Sequence, residues 1–184
     1  MGLNPHGEKI LLTGRPGIGK TTVVLKVASL LKSVAGGFYT EEIREAGRRL
    51  GFRVRDVRTG KEGILSQVNF PGPHRVGKYG VDVASFERIG VAALKEALGR
   101  KGCILVDEIG KMELCSARFQ EAMKLAMDSP NPFLATIPLF SHPFLDGLKN
   151  RPDATLIHVT SANRDALPKD LAVRLSAPDR GTMP

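Results

Sequence analysis

Residues 14–21 (Gly14-Arg15-Pro16-Gly17-Ile18-Gly19-Lys20-Thr21) lie between an apolar run, Ile10-Leu11-Leu12, and an amphipathic pattern of helical period that begins at Thr21. No other stretch restricts the fold as tightly. The glycines let the backbone curl until several N–H groups point at one centre, and the positive end of the following helix adds to the field there. The stretch reads as a phosphate-binding P-loop, in which Lys20 reaches the β- and γ-phosphates and Thr21 offers its hydroxyl to Mg²⁺. It requires a buried strand before it and a helix after it, the opening unit of an α/β fold with a mostly parallel sheet flanked by helices.

A second landmark follows about ninety residues on. Cys103-Ile104-Leu105-Val106-Asp107-Glu108 is an apolar strand that ends in two carboxylates, the Walker B pattern. At the C-terminal edge of a parallel sheet both side chains can enter the ligand crevice. Asp107 then serves the metal, while Glu108 orients and deprotonates a water in line with the γ-phosphate. Without the P-loop the same pair would read as a solvated strand end. Lys111, in the turn after it, either meets the leaving phosphate or simply flanks a helix.

The rest of the chain fits this frame. Ile10–Thr13 is expected as the first strand, and the helix from Thr21 is expected to end near Gly36-Gly37. Residues 37–45, 50–57 and 62–68 read as three short strands with hairpin-length connections, an antiparallel meander inserted over about residues 38–68. Most of that meander is expected to cover a sheet edge, although Glu41 and Glu42 stand where they could instead face the nucleotide or an acceptor. Residues 69–80 are rich in turn formers and read as a loop. It is either a solvated connection or a lid carrying Arg75, with His74 at the surface. A helix is expected over Ser85–Leu98, and another from the cap Ser116 to about Met127. Phe133–Ile137 is a further buried strand, with Thr136 near the γ-phosphate or the attacking water. Pro143–Asn150 is a short helix, Ala154–Thr160 the last strand with His158 buried in it, and the last helix runs to Leu175. Asn163 and Arg164 fall on the expected crevice rim, where base or phosphates would lie. Residues 1–8 and 176–184 are expected to be disordered or frayed.

Composition narrows the class. The chain has 184 residues, 42% of them apolar and 25% charged, as for one soluble domain spanning 1–184 with an ordered core over about 9–175. There is no membrane-length apolar run and no signal-peptide or myristoylation pattern at the start, and Cys103 and Cys115 fit a reducing cytoplasm. The net charge of +8 suits a polyanion, and a nucleoside triphosphate is one. Nucleic acid is the less favoured partner, because the basic residues are dispersed and are not interleaved with aromatics.

Residues 37–42 (Gly-Phe-Tyr-Thr-Glu-Glu), Gly51-Phe52, 107–114 (Asp-Glu-Ile-Gly-Lys-Met-Glu-Leu), 135–138 (Ala-Thr-Ile-Pro) and Thr160 with Asn163-Arg164 together resemble a small P-loop nucleoside-triphosphatase family. That family is shared by thermophilic prokaryotes and animals and includes the human cancer-related nucleoside-triphosphatase. The likeness spans about residues 9–175. It implies a RecA-like P-loop fold and slow, Mg²⁺-dependent hydrolysis of ATP, GTP, CTP and UTP with little base preference; a monomer is expected. It also implies nucleotide contacts at Gly14, Arg15, Pro16, Gly17, Ile18, Gly19, Lys20, Thr21 and Thr22, and at Leu105, Val106, Asp107 and Glu108. Two other readings stay open: a phosphotransferase that moves the γ-phosphate to a nucleoside, nucleotide or RNA hydroxyl, and a nucleotide-dependent RNA-binding module.

Overall fold

A computed structural model describes residues 7–31 and 34–176. Of the lead-in expected over residues 1–8 and the fray expected over 176–184, residues 1–6 and 177–184 lie outside the described residues, while Gly7, Glu8 and Ser176 are held by backbone hydrogen bonds: Gly7 N donates to the Pro130 carbonyl (2.8 Å), the Glu8 carbonyl accepts from Phe133 N (2.8 Å) and Ser176 N donates to the Ala172 carbonyl (3.0 Å). The first strand, β1 (Lys9–Thr13), is buried along its whole length. Its side chains alternate between two layers: Ile10 and Leu12 pack with Val23, Val24 and Val27 of α1 (Lys20–Leu30), while Leu11 joins Phe38, Phe86 and Phe119 on the opposite face. That alternation into two apolar layers is why the run is continuously hydrophobic.

Helix α1 ends earlier than the sequence reading placed it. The chain is already in a strand by Val34, and β2 (Val34–Glu45) carries both Gly36 and Gly37. These glycines serve close approach and do not stop a helix. Gly37 has a φ of +115°, and a Cβ there would lie 1.8 Å from the Leu105 carbonyl oxygen. Only glycine fits that contact.

Strands β3 (Arg48–Asp56) and β4 (Glu62–Val68) complete the expected meander. The stretch read as a loop over 69–80 contains a further hairpin, β5 (Arg75–Val76) and β6 (Tyr79–Val81), which extends the antiparallel part. Next come α2 (Val83–Phe86), a π-helical turn (Glu87–Val91) and α3 (Ala92–Leu98), with the Asp82 side chain capping α2 by accepting from Ser85 N at 2.9 Å. Strand β7 (Cys103–Asp107) is followed by a 3-10 turn (Glu113–Cys115) and by α4 (Ala117–Asp128), which Ser116 caps as expected. The order closes with β8 (Phe133–Thr136), α5 (Pro143–Lys149), β9 (Ala154–His158) and α6 (Leu167–Leu175).

Among the described residues all nine strands form one sheet, in the order β5-β6-β4-β3-β2-β7-β8-β1-β9. From β2 to β9 the neighbours run parallel, and from β2 to β5 antiparallel. The P-loop strand β1 and the carboxylate-bearing β7 are thus separated by β8, the RecA-like arrangement. Helices α1 and α6 cover one face, while α3 and α4 cover the other. On that second face Phe38, Phe86 and Phe119 form an edge-to-face triangle with centroids 5.3–5.8 Å apart. Strand β9 is an edge, so His158 is exposed and not buried in the sheet as its apolar neighbours had implied.

Candidate active site

The loop between β1 and α1 carries three glycines with positive φ: Gly14 (144°), Gly17 (76°) and Gly19 (109°). Each holds a turn that a side chain would strain. Ile18 is buried and pins the loop to the core, while Arg15, Pro16 and Gly17 stay exposed. Lys20 Nζ donates to the carbonyls of Gly14 (2.9 Å) and Arg15 (3.3 Å), so its ammonium lies across the mouth of the loop. Thr21 and Thr22, in the first turn of α1, line the cleft beside it. Arg164 approaches from behind: its Nη1 donates to the Ile18 carbonyl at 3.4 Å, which makes it a brace for the loop.

Asp107, at the end of β7, is 2% exposed. Its Oδ1 accepts from Thr136 Oγ1 at 2.5 Å, and its Oδ2 is buried with no hydrogen-bond partner among the described residues. Burial pushes its carboxyl up, against the hydroxyls of Thr136 and Thr21 and the charge of Lys20. A buried carboxylate oxygen left unpaired beside a threonine hydroxyl suits a hard divalent cation that takes oxygen ligands. The sequence had placed Thr136 against phosphate or water, whereas the structure puts its hydroxyl on Asp107.

Glu108 follows through a cis peptide and lines the cleft. Burial and then the neighbouring Asp107 raise its carboxyl above the ordinary range, and Lys20 opposes them. Behind it lies Glu113, which sequence reasoning passed over. Glu113 is 4% exposed, its Oε2 accepts from Gly110 N at 3.1 Å, and burial, reinforced by Glu108, pushes its carboxyl to about 8. The two carboxyls converge over one residue: a Cβ on Gly110 would sit 2.7 Å from Glu108 Oε1 and 2.8 Å from Glu113 Oε2. The available signal was its position in the 107–114 stretch, five residues after Glu108.

Leu105 and Val106 must be corrected. Both are fully buried, Leu105 in the layer of α1 and Val106 in the layer of α3 and α4, so neither side chain reaches a nucleotide. Arg75 donates to the Lys78 carbonyl at 3.1 Å, away from the cleft wall, where its neighbour Val76 stands. Of the two meander glutamates, Glu42 lines the cleft, while Glu41 pairs with Arg55 at 3.5 Å. Lys111 also lines it, its Nζ 4.8 Å from the centre of the Phe140 ring. Asn163 closes its own turn, accepting from Thr160 N (2.8 Å) and donating to the His158 carbonyl (2.9 Å).

P-loop, carboxylates and meander therefore bound one cleft of about 720 Å³. The family model described as NTPase matches residues 9–172. The chain belongs to this NTPase family. Among its relatives, the nucleoside-triphosphatase THEP1 of Thermotoga petrophila is 48% identical over 163 residues, which cover 89% of this chain and 90% of that protein. The crystal structure of THEP1 from the hyperthermophile Aquifex aeolicus superposes with a TM-score of 0.81 at 40% identity, covering 92% of this chain and 99% of that one. The solution structure of a human cancer-related nucleoside triphosphatase gives 0.77 at 38% identity, covering 91% and 96%. The NTPase fold of these relatives is thus the fold of this chain. Among the described residues no helix is long and apolar enough to cross a membrane.

Proposed function

We propose that the chain is a nucleoside-triphosphate phosphohydrolase that converts NTP and water to NDP and phosphate. The observation that carries this reading is the placement of Glu108 and the P-loop lysine in one cleft, beside the buried Asp107. The triphosphate lies along Gly14–Thr22, held by backbone N–H groups, the Lys20 ammonium and the start of α1. Glu108, raised toward neutrality, takes a proton from a water whose oxygen attacks the γ-phosphorus. The bond from that phosphorus to the β–γ bridging oxygen breaks, and Lys20 stabilises the charge that gathers on the phosphate oxygens. Thr21 and Asp107 are the residues that would hold Mg²⁺, which neutralises phosphate charge when bound.

Recognition through backbone and phosphate gives little purchase on the base, which favours broad use of ATP, GTP, CTP and UTP. The reading takes the protein as a single-domain cytoplasmic monomer. It leaves nucleic acid aside because meander arginines already face carboxylates, as in Arg53–Glu62 and Arg55–Glu62. The test is Glu108→Gln: turnover falls by about a hundred- to ten-thousand-fold while nucleotide binding persists. Turnover near that of the wild type would overturn the assignment of the base.

A further inference from the structure

Glu108 differs from the other acidic groups of the cleft in how it is held. Asp107 accepts from the Thr136 hydroxyl and Glu42 from Arg44, whereas the Glu108 carboxyl has no hydrogen-bond or ion-pair partner among the described residues. A general base must meet its water at about 2.6–3.2 Å, and a misplacement of about 1 Å costs about a hundredfold in rate. The position of Glu108 is therefore set by the surface on which it lies.

That surface is the turn that follows it. Ile109 is buried, and its N–H donates to the Thr136 carbonyl at 2.9 Å, which anchors the start of the turn to β8. Gly110 comes next and is buried too. Its carbonyl accepts from Leu114 N at 3.0 Å, and its N–H donates to Glu113 Oε2 at 3.1 Å. The far end is fixed in turn, because the Glu113 carbonyl accepts from Ser116 N at 3.1 Å, at the cap of α4. Glu113 thus fastens the turn through its backbone and its side chain together.

The space over Gly110 is filled from both sides. The position of a Cβ there lies 2.7 Å from Glu108 Oε1, 3.1 Å from Glu108 Cγ and 2.8 Å from Glu113 Oε2. The two carboxyl oxygens are then no further apart than the sum of the first and last of these distances. Burial raises the Glu113 carboxyl to about 8, so at neutral pH it is protonated and sets no second charge against Glu108. Glu113 is itself buried, and its influence on the reaction passes through its neighbour.

We infer that Glu113 is a positioning residue for the catalytic base: its carboxyl, tied to the Gly110 amide, forms with Gly110 the seat that aims the Glu108 carboxylate at the attacking water. This rests on the reading of Glu108 as the base. The seat acts on Glu108 and not on the triphosphate, so its loss lowers kcat and leaves KM and nucleotide affinity in place.

The test uses the full-length protein with Mg²⁺ and γ-labelled GTP to obtain kcat and KM, and a non-hydrolysable GTP analogue to measure binding. Glu108→Gln comes first: turnover near that of the wild type would overturn the reading of the base, and the inference with it. Glu113→Leu fills the space but cannot accept from Gly110 N. It should lower kcat about tenfold or more, while KM and the affinity for the analogue change by less than about twofold. Glu113→Gln keeps an acceptor oxygen for Gly110 N and should recover most of that turnover. Introduced beside Glu108→Gln, Glu113→Leu should cause no further loss, since no carboxylate remains to be aimed; damage to the fold would lower both backgrounds alike. If Glu113→Leu shows no cooperative unfolding transition, Glu113→Asp takes its place, drawing the same carboxyl back by one carbon–carbon bond with the same expected fall in kcat. With Glu108→Gln inactive, the inference alone is overturned if the folded variant keeps kcat within about twofold of the wild type, or if its loss falls on KM or analogue affinity. It is overturned equally if Glu113→Gln does as badly as Glu113→Leu, or if the losses multiply in the double variant.

Discussion

Thr136 Oγ1 donates to Asp107 Oδ1 at 2.5 Å across the parallel neighbours β7 and β8, and both residues are buried. The bond fixes which oxygen of Asp107 is spent within the protein and which one, Oδ2, remains unpaired at the cleft end of β7.

Thr136→Val keeps the shape and removes the donor. It is expected to cost about 1–3 kcal/mol of stability, since a buried carboxylate loses its partner. The Mg²⁺ concentration needed to support nucleotide binding should rise by a larger factor than the nucleotide concentration does. Urea unfolding and a magnesium titration of nucleotide-induced thermal stabilisation measure the two effects, and chelation should abolish that stabilisation in the wild type.

Two buried groups make stability depend on pH in opposite senses. Glu113 is raised from 4.5 to about 8, so the folded state holds a proton that the unfolded state has lost, and stability falls as pH rises between those values. Lys9, 1% exposed, is lowered by burial from 10.5 to about 8; the unfolded state holds the extra proton in that window, and stability recovers as pH rises through it. Wild-type stability should fall toward pH 8 with a slope of up to about 1.4 kcal/mol per pH unit and recover only between about pH 8 and 9, because above that the buried Cys103 thiol, pushed by burial from 9.0 to about 12, offsets Lys9. Glu113→Gln should flatten the fall and Lys9→Met the recovery, as measured by denaturant unfolding across pH.

Gly110→Ala separates activity from stability. The three atoms nearest the added Cβ all belong to the side chains of Glu108 and Glu113, and Glu108, which lines the cleft, can move more readily than the buried Glu113, so turnover should fall about tenfold or more, a larger effect than the shift of the unfolding midpoint. A turnover equal to that of the wild type would show that the place of Glu108 over Gly110 does not matter.

Gly37→Ala should do the reverse. Its Cβ would meet the Leu105 backbone, which cannot swing, at a φ of +115°. A loss of about 3 kcal/mol or more is expected in denaturant unfolding, with a matching loss of soluble protein on expression.

Much of this was readable before the fold was seen, and for identifiable reasons. The P-loop and the apolar strand ending at Asp107-Glu108 carry their chemistry in contiguous residues, so the sequence shows them directly. The Ser116 cap is equally local. What escaped depended on partners far along the chain. Gly36 and Gly37 punctuate a sequence as helix stops do, yet the demand on Gly37 comes from Leu105, nearly seventy residues later. The hairpin of Arg75–Val76 with Tyr79–Val81 is too short to show a period. Glu113 looks like any glutamate near a helix start until burial beside Glu108 sets it apart. His158 sits among apolar residues, but only strand order reveals that β9 has one neighbour.

The twelve-residue strand β2 is at once a member of the parallel core, through Tyr39 opposite Asp107, and a wall of the cleft, through Glu42 and Arg44. Its length is consequently quantised. Inserting one residue after Tyr39 would turn Glu41 into the cleft and Glu42 out of it, exchanging the wall for its reverse side. Inserting two would keep the same face and move the charges outward by one strand repeat, about 6.6 Å. An odd step between Tyr39 and Glu42 would have to be absorbed by a bulge, as the ladder with β3 already does between Ile43 and Arg44, because one run of backbone sets the parity of both ends.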